Sequence, residues 1–564
     1  MRRRELYSAL VVLRVVGSVL LLGMVHPDEF FQSQEVMVRH FFPESSVLQR
    51  ELFIPWEFQL PTPNRSVIFP ALVVGLPYKI LQWLGVPLAG GVMLVTPRVL
   101  LCLLSFIIDT VLYQVVGTLS RHLKPEIQKE KQEKALLLFA SSWPTLVFLC
   151  RPFSNTFETL VLALCFAVLF LVNPHRRAFI GIFHVQTFLL GSLLAVGFFT
   201  RFTFPVFFFP LGLELVRQQD AYLVRAVRKK DVASSPSVVR RVAATASVAL
   251  QGLVAFLLWA TIFIIVDTIY FRGVEVLDSK WDTSLLEKIV IAPLNNLQYN
   301  IQYDNLELHG VHPRFTHLTV NMPMLFGPVF LVYLVRFLRY PDRSVFHNAC
   351  VFFPLVCLSL APHQEPRFLL PLIVPLHLFT SVSGRTGIVR FLTTHKLGKM
   401  LWVVFNVILT LFFGLLHQGG IVPMLLSLAM INSKQMENPV TKFWMKSLCN
   451  FDKSSLEMMG TVPLVFSKTY MPPRFLLAGM TPTPKFQVID TAGKAPGELL
   501  GTGSTAFLVL PASVEVKEIL PQAMSASKLG ECFPHVSTED LALNKPFSLE
   551  LYLIKLSAEG TVMV

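Results

Sequence analysis

Hydrophobic and polar positions fall along this chain in long blocks, not in the short periods of soluble helices and strands. Apolar runs near residues 6–25, 98–118, 135–150, 157–172, 179–199, 204–216, 242–266, 322–339, 346–361, 367–382 and 400–417 are separated by short connectors. Runs of this kind predict membrane-spanning helices, eleven in all. Several are shorter than the ~20 residues of a straight crossing, so some boundaries lie elsewhere or some helices are broken. Residues 67–84 are ambiguous, because Pro70, Pro77 and Lys79 interrupt them. If they do not cross, the N-terminus and connectors 121–134, 173–178, 217–241, 336–343 and 385–399 share one face, which then holds 24 Lys and Arg. A crossing would abolish that asymmetry. The positive-inside rule therefore predicts a re-entrant or interfacial helix on the non-cytosolic face. After Leu416 the pattern changes to turn residues, short apolar runs such as Ala506–Leu510 and Leu549–Ile554, and ordinary charge. Eleven crossings place this small α+β region, 418–564, on the non-cytosolic side of a body spanning 1–417. Connector 217–241 is the expected flexible segment.

Composition sharpens this picture. Of 564 residues, 53% are hydrophobic and only 15% charged, against about a quarter charged in soluble domains. A disulfide scaffold, a disordered hub and a coiled coil are excluded. The net charge of +13 invites a nucleic-acid reading, but the basic residues sit between apolar runs and form no continuous face, so no nucleic acid is expected. Three arginines precede the first apolar run, as in a signal peptide, yet no small-residue cleavage site precedes His26, and an uncleaved span is expected. The seven cysteines show no metal spacing. Five lie in or beside apolar runs, which leaves a bridge between Cys449 and Cys532 open.

The unusual polar clusters collect on the non-cytosolic face, in two long loops (26–97 and 267–321) and several short ones. His26, Asp28 and Glu29 follow the first span. Arg151 to Glu158, Arg201, the pair His309 and His312, and His363 to Arg367 follow later. A carboxylate can take a proton from an attacking hydroxyl, and Arg and His can hold a phosphate leaving group. Each cluster also has a plain structural reading. Asp28 and Glu29 suit the first turn of a helix, and Arg151 and Arg201 suit interfacial anchors. His309 and His312 at i, i+3 lack a third ligand at recognisable spacing, so no metal is expected. Asp109, mid-span, needs a partner, most simply an interhelix hydrogen bond, and Arg14 is a snorkelling or bundle-facing residue. Asn64-Arg65-Ser66 is a formal glycosylation sequon.

The stretch His26–Glu35 (HPDEFFQSQE) after a first span resembles the opening signature of the glycosylphosphatidylinositol (GPI) mannosyltransferases of glycosyltransferase family 22. Arg151–Glu158 is similar to that family's R-x-x-S-N-x-x-E element, and His363–Pro371 to its H-x-E-x-R-F-x-x-P element. The loop His309–Leu325 (HGVHPRFTHLTVNMPML) lacks the tryptophan-rich segment of the third-mannose branch and resembles the fourth-mannose branch. The resemblance implies an all-α polytopic GT-C-like bundle in the endoplasmic reticulum membrane, its site facing the lumen and in contact with that membrane's lipids. It implies dolichyl-phosphate mannose as donor and a GPI precursor glycolipid as acceptor, with inverting transfer of an α1,2-linked mannose to the third mannose and no cofactor or metal. The expected base is Asp28, with Glu29 in reserve. His26, Arg151, Arg201, His309, His312, His363 and Arg367 are the expected substrate-binding residues, with Arg367 and His363 foremost at the phosphate. The alternatives are the third-mannose reaction and a polytopic transporter or scaffold. Transporters usually carry paired internal repeats and midplane charges in broken helices, whereas here no repeat is visible and the polar clusters lie at one face.

Overall fold

The computed structural model of the chain describes residues 3–43, 46, 48, 51–174, 176–178, 183–228, 236–278, 288–307, 310–339, 344–382, 392, 395–432, 447–452, 462–478, 486–500, 504–521 and 523–556. Connector 217–241 falls partly outside this set, and His309 wholly so.

The apolar runs form a helical body. Among the described residues, five helices are long and apolar enough to cross a bilayer: Gly90–Leu119, Ser154–Leu171, Val238–Arg272, His317–Arg339 and Lys396–Leu416. The shorter apolar helices Val185–Thr200, Val345–Ser359 and Pro366–Val382 stand at three further expected spans. Near 135–150 the helix is broken, as the short run suggested: Pro125–Ala140 ends, and Trp143–Val147 begins with Pro144 in its first turn. The helix Gly90–Leu119 starts eight residues before the expected span at 98, which carries Arg98 inside it.

The first helix, Arg3–Leu20, is inside out compared with a soluble amphipathic helix. Its exposed face carries Val12, Leu13 and Val16, while Arg14, Gly17 and Ser18 are buried. Arg14 donates to both oxygens of Asp109, at 2.9 and 3.2 Å, and Tyr7 adds a third hydrogen bond at 3.1 Å. A charge in a lipid-facing bundle survives only where it is paired, and this pair supplies the partner that Arg14 and Asp109 each need. In His317–Arg339, Gly327 takes φ 44°, and a Cβ there would meet the Phe405 ring at 2.4 Å. Glycine alone permits both the kink and this approach.

The ambiguous stretch forms one helix, Ile68–Trp83, with a π-helical turn at Ala71–Gly75. Its start is pinned to Val238–Arg272, where the Asp267 carboxylate accepts from the Ser66 hydroxyl at 3.0 Å and the Val67 amide at 2.9 Å. Val73, Val74 and Tyr78 are buried, whereas Leu72, Leu76, Ile80 and Trp83 are exposed. An apolar face left open on a short helix suits a segment lying at a bilayer surface.

The C-terminal region holds a six-stranded sheet. Beyond the small ribbon β1 (Arg177–Ala178) and β2 (Phe183–His184), its strands are β3 (Cys449–Phe451), β4 (Val462–Phe466), β5 (Phe486–Asp490), β6 (Thr505–Pro511), β7 (Ala523–Cys532) and β8 (Leu549–Leu556), in the order β3-β7-β8-β6-β4-β5. β4 runs parallel to both β5 and β6, and the other pairings are antiparallel. Cys449 and Cys532 lie opposite each other in register and are bridged.

The region after 418 opens with a helix. Residues 421–432 form a helix that is apolar and buried over Ile421–Ala429. One core joins this helix, the segment from Leu22 to Leu101 and the inner sheet face, including Phe466, Phe507 and Leu551. A helix with no charged residue cannot stand in water, so the C-terminal region is seated on the 26–97 segment from its first helix onward.

Candidate active site

A cavity of about 430 Å³ opens where the polar clusters converge. The chain first reaches it through His26 and the short helix Asp28–Phe31, immediately after the first span. The Asp28 carboxylate faces the cavity. It accepts from Arg367 Nη1 and Gln32 Nε2, both at 2.5 Å, and lies 3.5 Å from His26 Nδ1. Burial alone would raise this carboxyl, but Arg367 and His26 outweigh it and hold Asp28 below the usual carboxylate range.

Arg367 comes from the start of the helix Pro366–Val382 and pairs with Glu365 as well as Asp28. Glu365 in turn accepts from His363 Nε2 at 2.8 Å, while His363 Nδ1 meets the Gly310 carbonyl at 3.0 Å. Burial alone would lower His363, but the hydrogen bond to Glu365 raises it above its ordinary value. Glu365 responds in the opposite sense: burial would raise it, and Arg367 and His363 pull it well below. His26, Asp28, Arg201, His363, Glu365 and Arg367 therefore share one wall.

The remaining expected residues are placed differently. Glu29, adjacent to Asp28, points the other way. It is fully buried between Arg98, which donates from Nε at 2.8 Å, and Arg151, which donates from Nη1 at 2.7 Å. Both arginines also donate to the Leu21 carbonyl, at 3.1 and 2.9 Å, tying the end of the first helix to this cluster. Glu29 and Arg151 thus lie behind the cavity wall, and consecutive residues of one helical turn cannot face the same space. His312 also stands one layer back. Its ring accepts from the Gln364 amide at 3.3 Å and lies 5.8 Å from the His363 ring. His309 lies outside the described residues. Among those residues no group of three metal-ligating side chains occurs.

Arg201 lines the cavity from the connector after Val185–Thr200. Its Nη1 donates to Ser154 Oγ at 3.2 Å, and its Nε lies 3.4 Å from Glu158. Burial brings its guanidinium down to about 10, against the pull of Glu158. The motif Arg151–Glu158 is accordingly a two-sided bracket, with Arg151 holding Glu29 and Ser154 and Glu158 holding Arg201.

Several cavity residues carried no role in the sequence reading. Gln32 donates to Asp28 and also to Glu57 at 3.0 Å, and Glu57 accepts from Arg65 Nε at 2.9 Å. A polar chain thus crosses the floor from Arg367 to Arg65. At its far end Trp56 packs on Tyr299 with ring centroids 4.6 Å apart, beside Asn296 and Asn300. Exposed aromatic faces next to side-chain amides are what a sugar ring stacks on. Arg98 opens the expected span 98–118, where a basic residue stands out little from an end anchor. Asn64 of the sequon is 6% exposed and its backbone is bonded to Glu57 and Asn296, which leaves no room for a glycan there.

The profile of the Alg9-like mannosyltransferase family matches residues 5–477. The GPI alpha-1,2-mannosyltransferase 4 of Homo sapiens is 33% identical over 530 residues, covering 87% of this chain and 79% of that protein. The GPI mannosyltransferase 4 of Aspergillus oryzae is 31% identical (84% and 78% covered), and that of Schizosaccharomyces pombe 30% (86% and 77%). Among solved structures, ArnT from Cupriavidus metallidurans bound to undecaprenyl phosphate aligns over 97% of each chain at 10% identity, with a TM-score of 0.49.

Proposed function

This chain belongs to the Alg9-like mannosyltransferase family and is a multi-pass GPI mannosyltransferase, and from that premise we propose that it adds the fourth mannose. In this reading a mannosyl residue passes from dolichyl-phosphate mannose to the 2-hydroxyl of the third mannose of a GPI precursor. The protein resides in the endoplasmic reticulum membrane with its cavity toward the lumen, in a GT-C-type organisation. The Cys449–Cys532 bridge supports that side, because structural disulfides persist in oxidising compartments.

The observation that carries the mechanism is the Asp28 carboxylate, which faces one cavity together with the guanidiniums of Arg367 and Arg201, while Glu29 beside it points away. In-line displacement forms the bond from the acceptor oxygen to the anomeric carbon and breaks the bond from that carbon to the phosphate oxygen. Asp28 takes the hydroxyl proton. The charge left on the lipid phosphate is met by Arg367 and Arg201, while His363, its ring nitrogens taken by Glu365 and the Gly310 carbonyl, holds Glu365 behind Arg367. Binding of that phosphate draws Arg367 away from Asp28 and restores basicity to the carboxylate. Trp56 and Tyr299 offer the acceptor ring a face, and His26 orients Asp28. The leaving group is already a phosphate, so this scheme needs no metal.

The test is mannosyl transfer by purified protein in the presence of chelator, with dolichyl-phosphate mannose and GPI intermediates of two or three mannoses. Product from the three-mannose acceptor alone is expected. Product from the two-mannose acceptor would make this the third-mannose enzyme, and none from either would reopen a transporter or scaffold role.

A further inference from the structure

The C-terminal sheet carries a second cavity, of about 510 Å³, that the reaction above does not use. It lies at the carboxyl ends of the parallel strands β4 and β5, between the loops that follow them. β4 sits between β5 and β6, so the connections leave this end of the sheet in opposite directions, and such a reversal opens a crevice where α/β sheets bind ligands. Its size is within the ~300–1,000 Å³ of small-molecule sites.

Three features set this cavity apart from a chance surface hollow. The loops are bent back by left-handed backbone at residues other than glycine, Lys468 (φ 57°) and Ala492 (φ 47°), a strain that folded proteins retain mainly at binding sites. The Thr469 Oγ1 in its wall is buried without a hydrogen-bond partner. The wall also mixes ammonium, hydroxyl and carboxylate groups, among them Lys494, Thr491 and Glu539. Sugar hydroxyls both donate and accept, and they suit a mixed lining of this kind better than an anion or a cation does.

Position then identifies the ligand. Tyr470 forms part of this cavity, and its ring packs 6.3 Å from that of His26, which lines the catalytic cavity. The linings of the two cavities are thus in ring contact through Tyr470 and His26. The catalytic cavity must hold the donor mannosyl phosphate and the acceptor sugar, so the rest of an extended acceptor glycan has to continue beyond it. We propose that the sheet cavity is a saccharide subsite that holds the acceptor glycan beyond the mannose being glycosylated. This rests on the acceptor class given under Proposed function.

The experiment uses the full chain in lipid nanodiscs, with Thr469→Val/Lys494→Met beside the parent. Saturation-transfer NMR follows binding of the soluble acceptor headgroup, a trimannosyl-glucosaminyl-inositol. Transfer assays compare the complete acceptor with a lipid carrying only its terminal disaccharide. The double variant is expected to lose most saturation transfer and to raise KM for the complete acceptor about tenfold, while using the short acceptor as the parent does. Parental binding and KM in the folded variant, or an equal KM rise for both acceptors, would overturn the subsite. A parent that binds the headgroup through these residues but transfers no mannose would sink the transferase reading and leave the subsite standing. A parent that transfers mannose but shows no contact with the distal sugars would do the reverse.

Discussion

Arg367 donates a hydrogen bond to Asp28 at 2.5 Å from 339 residues further along the chain. The same guanidinium is held from behind by Glu365, so one cation joins the motif after the first span to the motif before the helix Pro366–Val382. In the proposed mechanism, a carboxylate kept ionised by a partner that a phosphate can claim stays inactive until the donor arrives, which would order the reaction without any moving lid.

Asp28→Asn keeps the side-chain shape and removes the proton acceptor. Its kcat is expected to fall about 10²–10⁴-fold, the usual contribution of general-base catalysis, with the protein still folded. Transfer rates measured alongside thermal unfolding separate the two effects. Near-parental turnover would remove Asp28 from the mechanism.

Arg367→Met takes away the charge that outweighs burial at Asp28. In the parent, the folded-state value of Asp28 lies below its unfolded value. Its contribution to stability is therefore full above the unfolded value of about 3.9 and is lost as pH falls through the lower folded value. Without Arg367 burial dominates, and the carboxyl rises. The acid limb of kcat/KM is expected to move to higher pH in the variant, read from a pH profile of transfer. An unmoved limb would mean that another group titrates there.

Glu29→Ala leaves Arg98 and Arg151 buried side by side with no counter-charge. Breaking a buried ion pair from one side costs about 3–5 kcal/mol. The expected phenotype is loss of folded protein, seen as a lower denaturation midpoint in detergent, and not a selective loss of turnover. A stable but inactive Glu29→Ala would instead return Glu29 to the chemistry.

His363→Gln tests the imidazole that Glu365 holds above its ordinary value. A raised folded value means that the contribution of His363 is full below about pH 6.5 and declines as pH rises through the higher folded value. The variant should lack that decline in a series of unfolding midpoints from pH 6 to 9. An identical slope in parent and variant would assign the decline to another group.

The Cys449–Cys532 bridge closes a loop across 83 residues of sequence. Chain-entropy arguments give such a link roughly 4–5 kcal/mol. Replacing both cysteines with serine is expected to lower the unfolding temperature of the sheet region, while the Arg14–Asp109 contact within the membrane body persists. Limited proteolysis of the 447–556 segment would detect the loosening, and parental resistance would show that the shared core holds the sheet without the bridge.

Much of the site was legible because its chemistry is packed into short motifs. The stretches His26–Glu35, Arg151–Glu158 and His363–Pro371 can be seen without coordinates, and the charge asymmetry of the connectors brought them to one face. Which residue in each motif faces the cavity was not legible. Asp28 and Glu29 are chemically near-equivalent neighbours, and only the turn of the helix Asp28–Phe31 sends one to the cavity and the other to Arg98 and Arg151. Glu57, Arg65 and Tyr299 lie outside those motifs and carry no distinctive spacing, because they come together only across separate segments.

The sequence alone determined what a bilayer imposes locally: apolar runs long enough for helices, basic connectors on one side, and a carboxylate-rich motif at a span end. Those properties follow from desolvation, which acts on each segment independently of its neighbours. The tertiary structure alone decided how charges pair over hundreds of residues, that helix 421–432 shares a core with the 26–97 segment, and that Tyr470 of one cavity packs against His26 of the other. Pairing and packing depend on where distant segments cross in space, and no single stretch of chain encodes that position.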